Sequence, residues 1–147
     1  LLGLGLVKGD RVAVLAYNCI EWLEIYVALA KAGLVAVPIN FRLTPPEIEY
    51  IAGNCEARAM IVQDALLESI EPVRPNLPLI ARDAWVHFGG QRTPRGWRGY
   101  ESLVRAGSAR APALEVAPAD TWALMYTSGT TGRPKGAECP RGGQRTQ

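Results

Sequence analysis

The chain has little of what metal and thiol chemistry require. It holds one histidine, His87, and three widely spaced cysteines, Cys19, Cys55 and Cys139, in 147 residues. No C-x-x-C pair occurs, so the spacing argues against a zinc site, and no metal ligand is assigned. The cysteines read as reduced thiols of a cytoplasmic protein. His87 stands beside Phe88-Gly89-Gly90 with no partner nearby in sequence. It reads as a structural or solvated residue on a loop edge, and no catalytic residue is assigned. Long apolar runs are also missing, which excludes a membrane-spanning helix. The opening Leu1–Val7 is apolar but short, with no basic stretch before it and no initiator methionine. It is a poor signal peptide, and a chain that starts this way reads as a fragment or a partial reading frame. No internal repeat is visible.

What is present is an ordinary globular composition, 48% hydrophobic and 20% charged, of a length for one domain with a real core. The net charge of +2 is unevenly spread. Residues 1–72 carry five basic and nine acidic side chains, net −4, and residues 73–147 carry eleven and five, net +6. The arginines are scattered through loops, and the Trp/Arg-rich stretch 85–98 has no other nucleic-acid feature around it, so no nucleic-acid partner is expected. A positive C-terminal half suits an anionic small molecule.

From the N-terminus, Gly9-Asp10 forms a turn and Arg11–Ala16 reads as a buried strand. Asn18, with Glu21 three residues on, has the pattern of a capped helix start. That helix is expected over about Cys19–Ala32, stopping at Gly33. It is apolar on two stripes, Ile20, Leu23, Val27, Ala30 and Trp22, Ile25, Tyr26, Leu29, so it should be largely covered. Leu34–Ile39 is a second strand. Thr44, Pro45 and Glu47 signal a second helix over about Pro45–Ala52, ended by Gly53-Asn54. Arg58–Val62 is a third strand. The alternation predicts an α/β fold, a mostly parallel sheet with flanking helices and right-handed crossovers. Beyond it, Asp64–Glu71 reads as a short helix, Leu77–Ala81 as a further strand, Trp85–Arg98 as an irregular loop, Tyr100–Ala106 as a short helix and Gly107–Pro118 as a linker.

Thr121–Met125 is an apolar strand that delivers Tyr126-Thr127-Ser128-Gly129-Thr130-Thr131-Gly132-Arg133-Pro134-Lys135-Gly136. Glycines let a backbone turn and approach closely, and successive N–H groups can form an anion-binding concavity. Thr127, Ser128, Thr130 and Thr131 add hydroxyl donors, and Lys135 adds a mobile cation. A flexible linker has a similar composition, but a strand before it and Pro134-Lys135-Gly136 after it favour a polyphosphate loop. It is not a Walker A loop: Gly129 and Gly132 are too close, and Gly136 follows Lys135 where that motif has Ser or Thr.

This run resembles the phosphate-loop signature of the adenylate-forming (AMP-binding) superfamily. Gly9–Ala13, Asn18 with Glu21-Trp22, Lys31–Gly33, Val37–Asn40 and Arg42–Pro45 are similar to its acyl-CoA synthetase branch. The resemblance covers nearly all of residues 8–136 and implies part of the N-terminal domain of such an enzyme. By that resemblance, Thr127, Ser128, Gly129, Thr130, Thr131, Gly132 and Lys135 hold the β- and γ-phosphates of ATP. The parent reaction joins a carboxylic acid to ATP with Mg²⁺, releases pyrophosphate and passes the acyl group from the adenylate to CoA. The family's adenine pocket, acyl pocket, Mg²⁺ carboxylate and catalytic lysine all lie further along than this segment.

After Gly136 the resemblance fails. Residues 137–147 are polar, hold Pro140 and two glycines, and have no apolar period, so they are expected not to form the family's next strand. The expected division is a partial AMP-binding domain over 1–136 and a non-family polar tail over 137–147. Such a fragment is expected to be inactive, because losing even one preorganised donor can cost about 3 kcal/mol in a transition state. A non-catalytic phosphate-binding module or an inert remnant are the alternatives.

Overall fold

The computed structural model describes residues 1–127 and 133–142. Among them, seven strands form one sheet, ordered β5-β4-β3-β1-β2-β6-β7. The strands are β1 (Arg11–Leu15), β2 (Val35–Ile39), β3 (Ala59–Gln63), β4 (Trp85–Phe88), β5 (Arg98–Gly99), β6 (Thr121–Thr127) and β7 (Lys135–Pro140). Their neighbours pair in parallel, except for the antiparallel β6–β7 pair at one edge. The helices are α1 (Ile20–Lys31), α2 (Pro45–Asn54), α3 (Leu67–Ile70) and α4 (Tyr100–Ala106). The α/β architecture read from the sequence is the one observed.

The core sits where the unbroken apolar strands predict. Val12–Leu15 of β1, Ala36 and Val37 of β2 and Ala59–Val62 of β3 are all buried. The β1-to-β2 and β2-to-β3 connections run in opposite directions across the sheet. Right-handed crossovers therefore put α1 on one face and α2 on the other. Gly33 ends α1 in the left-handed region, at φ 65°, with Leu34 N–H donating to Leu29 O at 3.0 Å. That is the helix stop expected there.

Five expectations need correction. Asn18 does not cap α1; the N-cap is Cys19, and no side chain caps that end. The α1 helix is covered on one stripe only: Ile25 and Leu29 are buried, whereas Ile20, Leu23 and Val27 are 73%, 65% and 44% exposed. A single sheet face contacts one side of a helix, and no described element reaches the other. Leu77–Ala81 is not a strand, although Leu77 and Ile80 are buried; they pin a coil to the core. The fourth strand is instead Trp85–Phe88, inside the stretch read as a loop, and it is buried throughout.

The fifth correction concerns the tail. Residues 135–140 form β7, which pairs with β6 from Thr127↔Lys135 to Thr121↔Pro140 and so crosses the boundary expected at 136/137. A polar sequence suffices because β7 is an edge strand with exposed side chains, and such edges carry charge and end at proline. Arg141, just beyond it, donates from Nη2 to Ala30 O at 2.7 Å, at the C-terminal turn of α1. A cation is favourable at that end of a helix.

Candidate functional site

The β6–β7 hairpin begins at the carboxyl end of β6. Open parallel sheets bind ligands outside the carboxyl ends of their strands, so Thr127, at the carboxyl end of β6, stands at the candidate ligand side of the sheet. The ladder closes with Thr127 opposite Lys135. Side chains directly opposite in a ladder have Cβ atoms about 5 Å apart. Two of the seven residues predicted from the sequence, Thr127 and Lys135, are thus brought together at the mouth of the loop, and both are exposed. Ser128, Gly129, Thr130, Thr131 and Gly132 lie outside the described residues.

Both ends of the loop rest on α2. The Tyr126 hydroxyl donates to Asn54 Oδ1 at 2.6 Å, on the strand leading in. Burial raises the Tyr126 phenol to about 12, so it remains a donor at neutral pH. On the strand leading out, the Tyr50 hydroxyl donates a long hydrogen bond, 3.4 Å, to Pro134 O. The Arg133 guanidinium lies over the Tyr50 ring, 5.1 Å from its centre, in cation–π range. Between α2 and this segment is an open groove of about 830 Å³ lined by Pro46, Glu49, Tyr50, Asn54, Arg133 and Pro134.

Tyr126 reaches α2 because of two local features. The ladder register shifts between Thr121 and Ala123, a β-bulge that re-aims a side chain. Trp122 consequently meets Tyr26 of α1, with ring centres 5.7 Å apart, while Tyr126 points to α2. Gly136 lies opposite Tyr126; a Cβ there would sit 3.0 Å from Leu124 Cδ1 and 3.2 Å from Tyr126 Cζ. The glycine that follows Lys135 therefore leaves room for the tyrosine.

Sequence reasoning missed Tyr50 and Asn54. Their i,i+4 spacing places them on one helix face, but the expected helix stopped at Ala52, and Asn54 was read as a terminator. It also missed the partner of His87. That imidazole is 2% exposed on β4, with Nε2 2.8 Å from Asp64 Oδ1. Three strands separate the pair from β6 in the sheet, and it is no part of the loop.

At the amino end of β1, a small cavity of about 230 Å³ is lined by Lys8, Arg11, Asp120, Thr121 and Glu138. Lys8 Nζ is 2.7 Å from Asp120 Oδ2. The cation there is already paired, whereas no described carboxylate lies within ion-pair distance of Lys135.

Comparison with known proteins agrees with this architecture. The profile of the family described as AMP-binding enzyme matches residues 1–142. The long-chain-fatty-acid–CoA ligase FadD13 of Mycobacterium tuberculosis is 39% identical over 92% of this chain and 25% of its own length. The indoleacetate–CoA ligase of Aromatoleum aromaticum is 34% identical over 94% of this chain and 26% of its own. The chain thus spans about a quarter of the length of these curated relatives. Among solved structures, the anthranilate CoA ligase AuaEII in complex with anthranoyl-AMP superimposes with a TM-score of 0.88 at 35% identity. That match covers 95% of this chain and 26% of the ligase. The N-terminal domain of FACL13 from Mycobacterium tuberculosis gives 0.74 at 34% identity, covering 95% and 33%. With the family profile matching nearly end to end, and with the parallel sheet and hairpin shared with solved ligases, this chain belongs to the AMP-binding enzyme family.

Proposed function

We propose that this chain supplies the triphosphate-holding wall of an ATP-dependent acid–CoA ligase. In this reading, Thr127, Ser128, Gly129, Thr130, Thr131, Gly132 and Lys135 bind the β- and γ-phosphates. The observation that carries it is the ladder pairing of Thr127 with Lys135, which sets a hydroxyl opposite a cation that has no ion-pair partner among the described residues, at the two ends of the glycine-rich run. Backbone N–H groups and a lysine are the donor set that a polyphosphate needs.

The division of labour follows from the residues. Lys135, on a strand, approaches from a fixed direction and offsets charge on the terminal phosphates. Thr127 donates from the facing strand. Together they orient the triphosphate so that its α-phosphate is presented to an incoming carboxylate, and they steady the pyrophosphate that departs. ATP is the nucleotide substrate, CoA the acceptor and a carboxylic acid the acyl donor. Mg²⁺ accompanies the phosphates in such chemistry, but the nearest described carboxylate along β7, Glu138, accepts from Thr121 at 3.1 Å and belongs to the far end of the hairpin. The residues described do not form a Mg²⁺ site, and no step is routed through one. The three free thiols are in keeping with a cytoplasmic setting.

The chain alone is expected to bind and not to turn over, because the family's remaining groups belong to segments outside this quarter of the relatives' length. Titration with MgATP tests the reading. Lys135→Ala should weaken binding about tenfold, the equivalent of about 1.4 kcal/mol, with an unchanged unfolding midpoint. Equal affinity for wild type and variant would sink the assignment.

A further inference from the structure

We infer that α2 is the positioning platform of the phosphate loop, with Asn54 and Tyr50 as positioning residues that fix where its two ends stand. The inference rests on the phosphate-loop reading above and goes beyond it, since neither residue belongs to the glycine-rich run.

The hairpin stands at the margin of the sheet. Among the described residues, β7 is an edge strand whose one sheet neighbour is β6. β6 runs alongside β2 in parallel, registered at Ala36↔Ala123. The carboxyl half of β6, which leads into the loop, extends past that pairing. Arg141 ties the hairpin down at the opposite end. Near the loop, the side-chain hydrogen bonds described between the hairpin and the rest of the protein go to α2.

The α2 helix is suited to that task. Ile48, Ile51 and Ala52 are buried, so it is fixed to the core. Its first turn is closed by Thr44, whose N–H and hydroxyl donate to Glu47 at 2.8 and 2.7 Å. Asn54 and Tyr50 are one turn apart, and each takes a different end of the loop. Asn54 receives Tyr126, the residue before Thr127, and Tyr50 contacts Arg133 and Pro134, the two residues before Lys135. The ladder sets the separation of Thr127 and Lys135, and the helix fixes where that pair stands against the rest of the protein. Sites supported from rigid elements hold their geometry better than sites on loops alone. Gly136 adds to this, since any side chain there would press on the Tyr126 ring.

The test uses the 147-residue chain with inorganic tripolyphosphate as the probe, followed by calorimetry. Asn54→Leu and Tyr126→Phe should each weaken binding roughly fivefold, the scale of one lost hydrogen bond. The double variant should be no weaker than either, because both remove the same bond. Amide hydrogen exchange of residues 126–135 should accelerate in Asn54→Leu and return to the wild-type rate in Asn54→Asp, which keeps the oxygen acceptor. Exchange in β1 and β3 should stay unchanged in all variants. If Lys135→Ala loses affinity while Asn54→Leu and Tyr50→Leu keep it, the platform inference is wrong and the phosphate reading stands. If wild type fails to bind tripolyphosphate at all, the phosphate reading falls and the inference falls with it. Additive losses accompanied by faster exchange across β1 and β3 would mark Asn54 as merely structural and overturn the inference as well.

Discussion

At the scale of single residues, the molecule pairs polar groups across long sequence separations, and the pairs account for much that composition hides. His87 is buried and depends on Asp64, itself half exposed, for its one hydrogen-bonded nitrogen. Asp64→Ala should cost about 1–3 kcal/mol in chemical denaturation, because the buried imidazole loses its partner; a change within error would show that water replaces the carboxylate. Cys55 makes a second residue-scale prediction. Its thiol is buried, and burial pushes its pKa from about 9 to about 11. The folded chain thus keeps a proton that the unfolded chain releases. Stability from this group is complete below pH 9 and is lost as pH rises towards 11, a fall of roughly 3 kcal/mol. Cys55→Ala should flatten that part of the stability–pH curve, leaving the loss above pH 10 to which the raised phenols of Tyr26, Tyr100 and Tyr126 contribute. None of these pairings was legible in the sequence: Asp64 and His87, like Asn54 and Tyr126, meet only because separate elements converge.

At the scale of elements, legibility followed the source of each pattern. β1, α1, β2, α2 and β3 were readable because their apolar residues recur with the period of the element itself, and Gly33, Thr44 and Pro45 punctuate them. Beyond Asp64 the apolar residues answer to other demands. Leu77 and Ile80 are buried beneath a coil, so they mimic a strand. Trp85–Phe88 is a true strand, but the Gly/Arg-rich stretch after it obscures the pattern. That stretch is held by Arg74, whose guanidinium lies 4.8 Å from the Trp85 ring centre and 4.7 Å from that of Trp97. β7 was invisible because an edge strand needs no apolar face. The α2 helix is the element on which the site depends most. Thr44→Ala should cost about 1 kcal/mol through loss of its first-turn closure. Amide exchange should quicken in α2 and in residues 126–135 together if the platform account holds. Faster exchange in α2 alone would separate the helix from the loop.

At the scale of the whole molecule, the family assignment rests on nearly the full chain, while the chemistry rests on one hairpin. The proposed phosphate loop is read from residue types: hydroxyls, glycines and a lysine after a strand. Its support is not, since it comes from a helix 70 residues earlier in the chain. The chain also exposes Ile20, Leu23 and Val27 together along α1. Exposed apolar stripes promote association, so Leu23→Glu should reduce self-association in analytical ultracentrifugation without lowering the unfolding midpoint. An unchanged sedimentation profile in a self-associating wild type would exonerate that stripe.

The central claim is that residues 127–135 are where this chain meets a polyphosphate. Backbone amide NMR of the 147-residue chain, titrated with inorganic tripolyphosphate, tests it most directly. The account predicts saturable shifts concentrated between Tyr126 and Gly136, lost in Lys135→Ala. Shifts centred instead on Lys8 and Arg11 at the amino end of β1, or shifts that persist in Lys135→Ala, would contradict it.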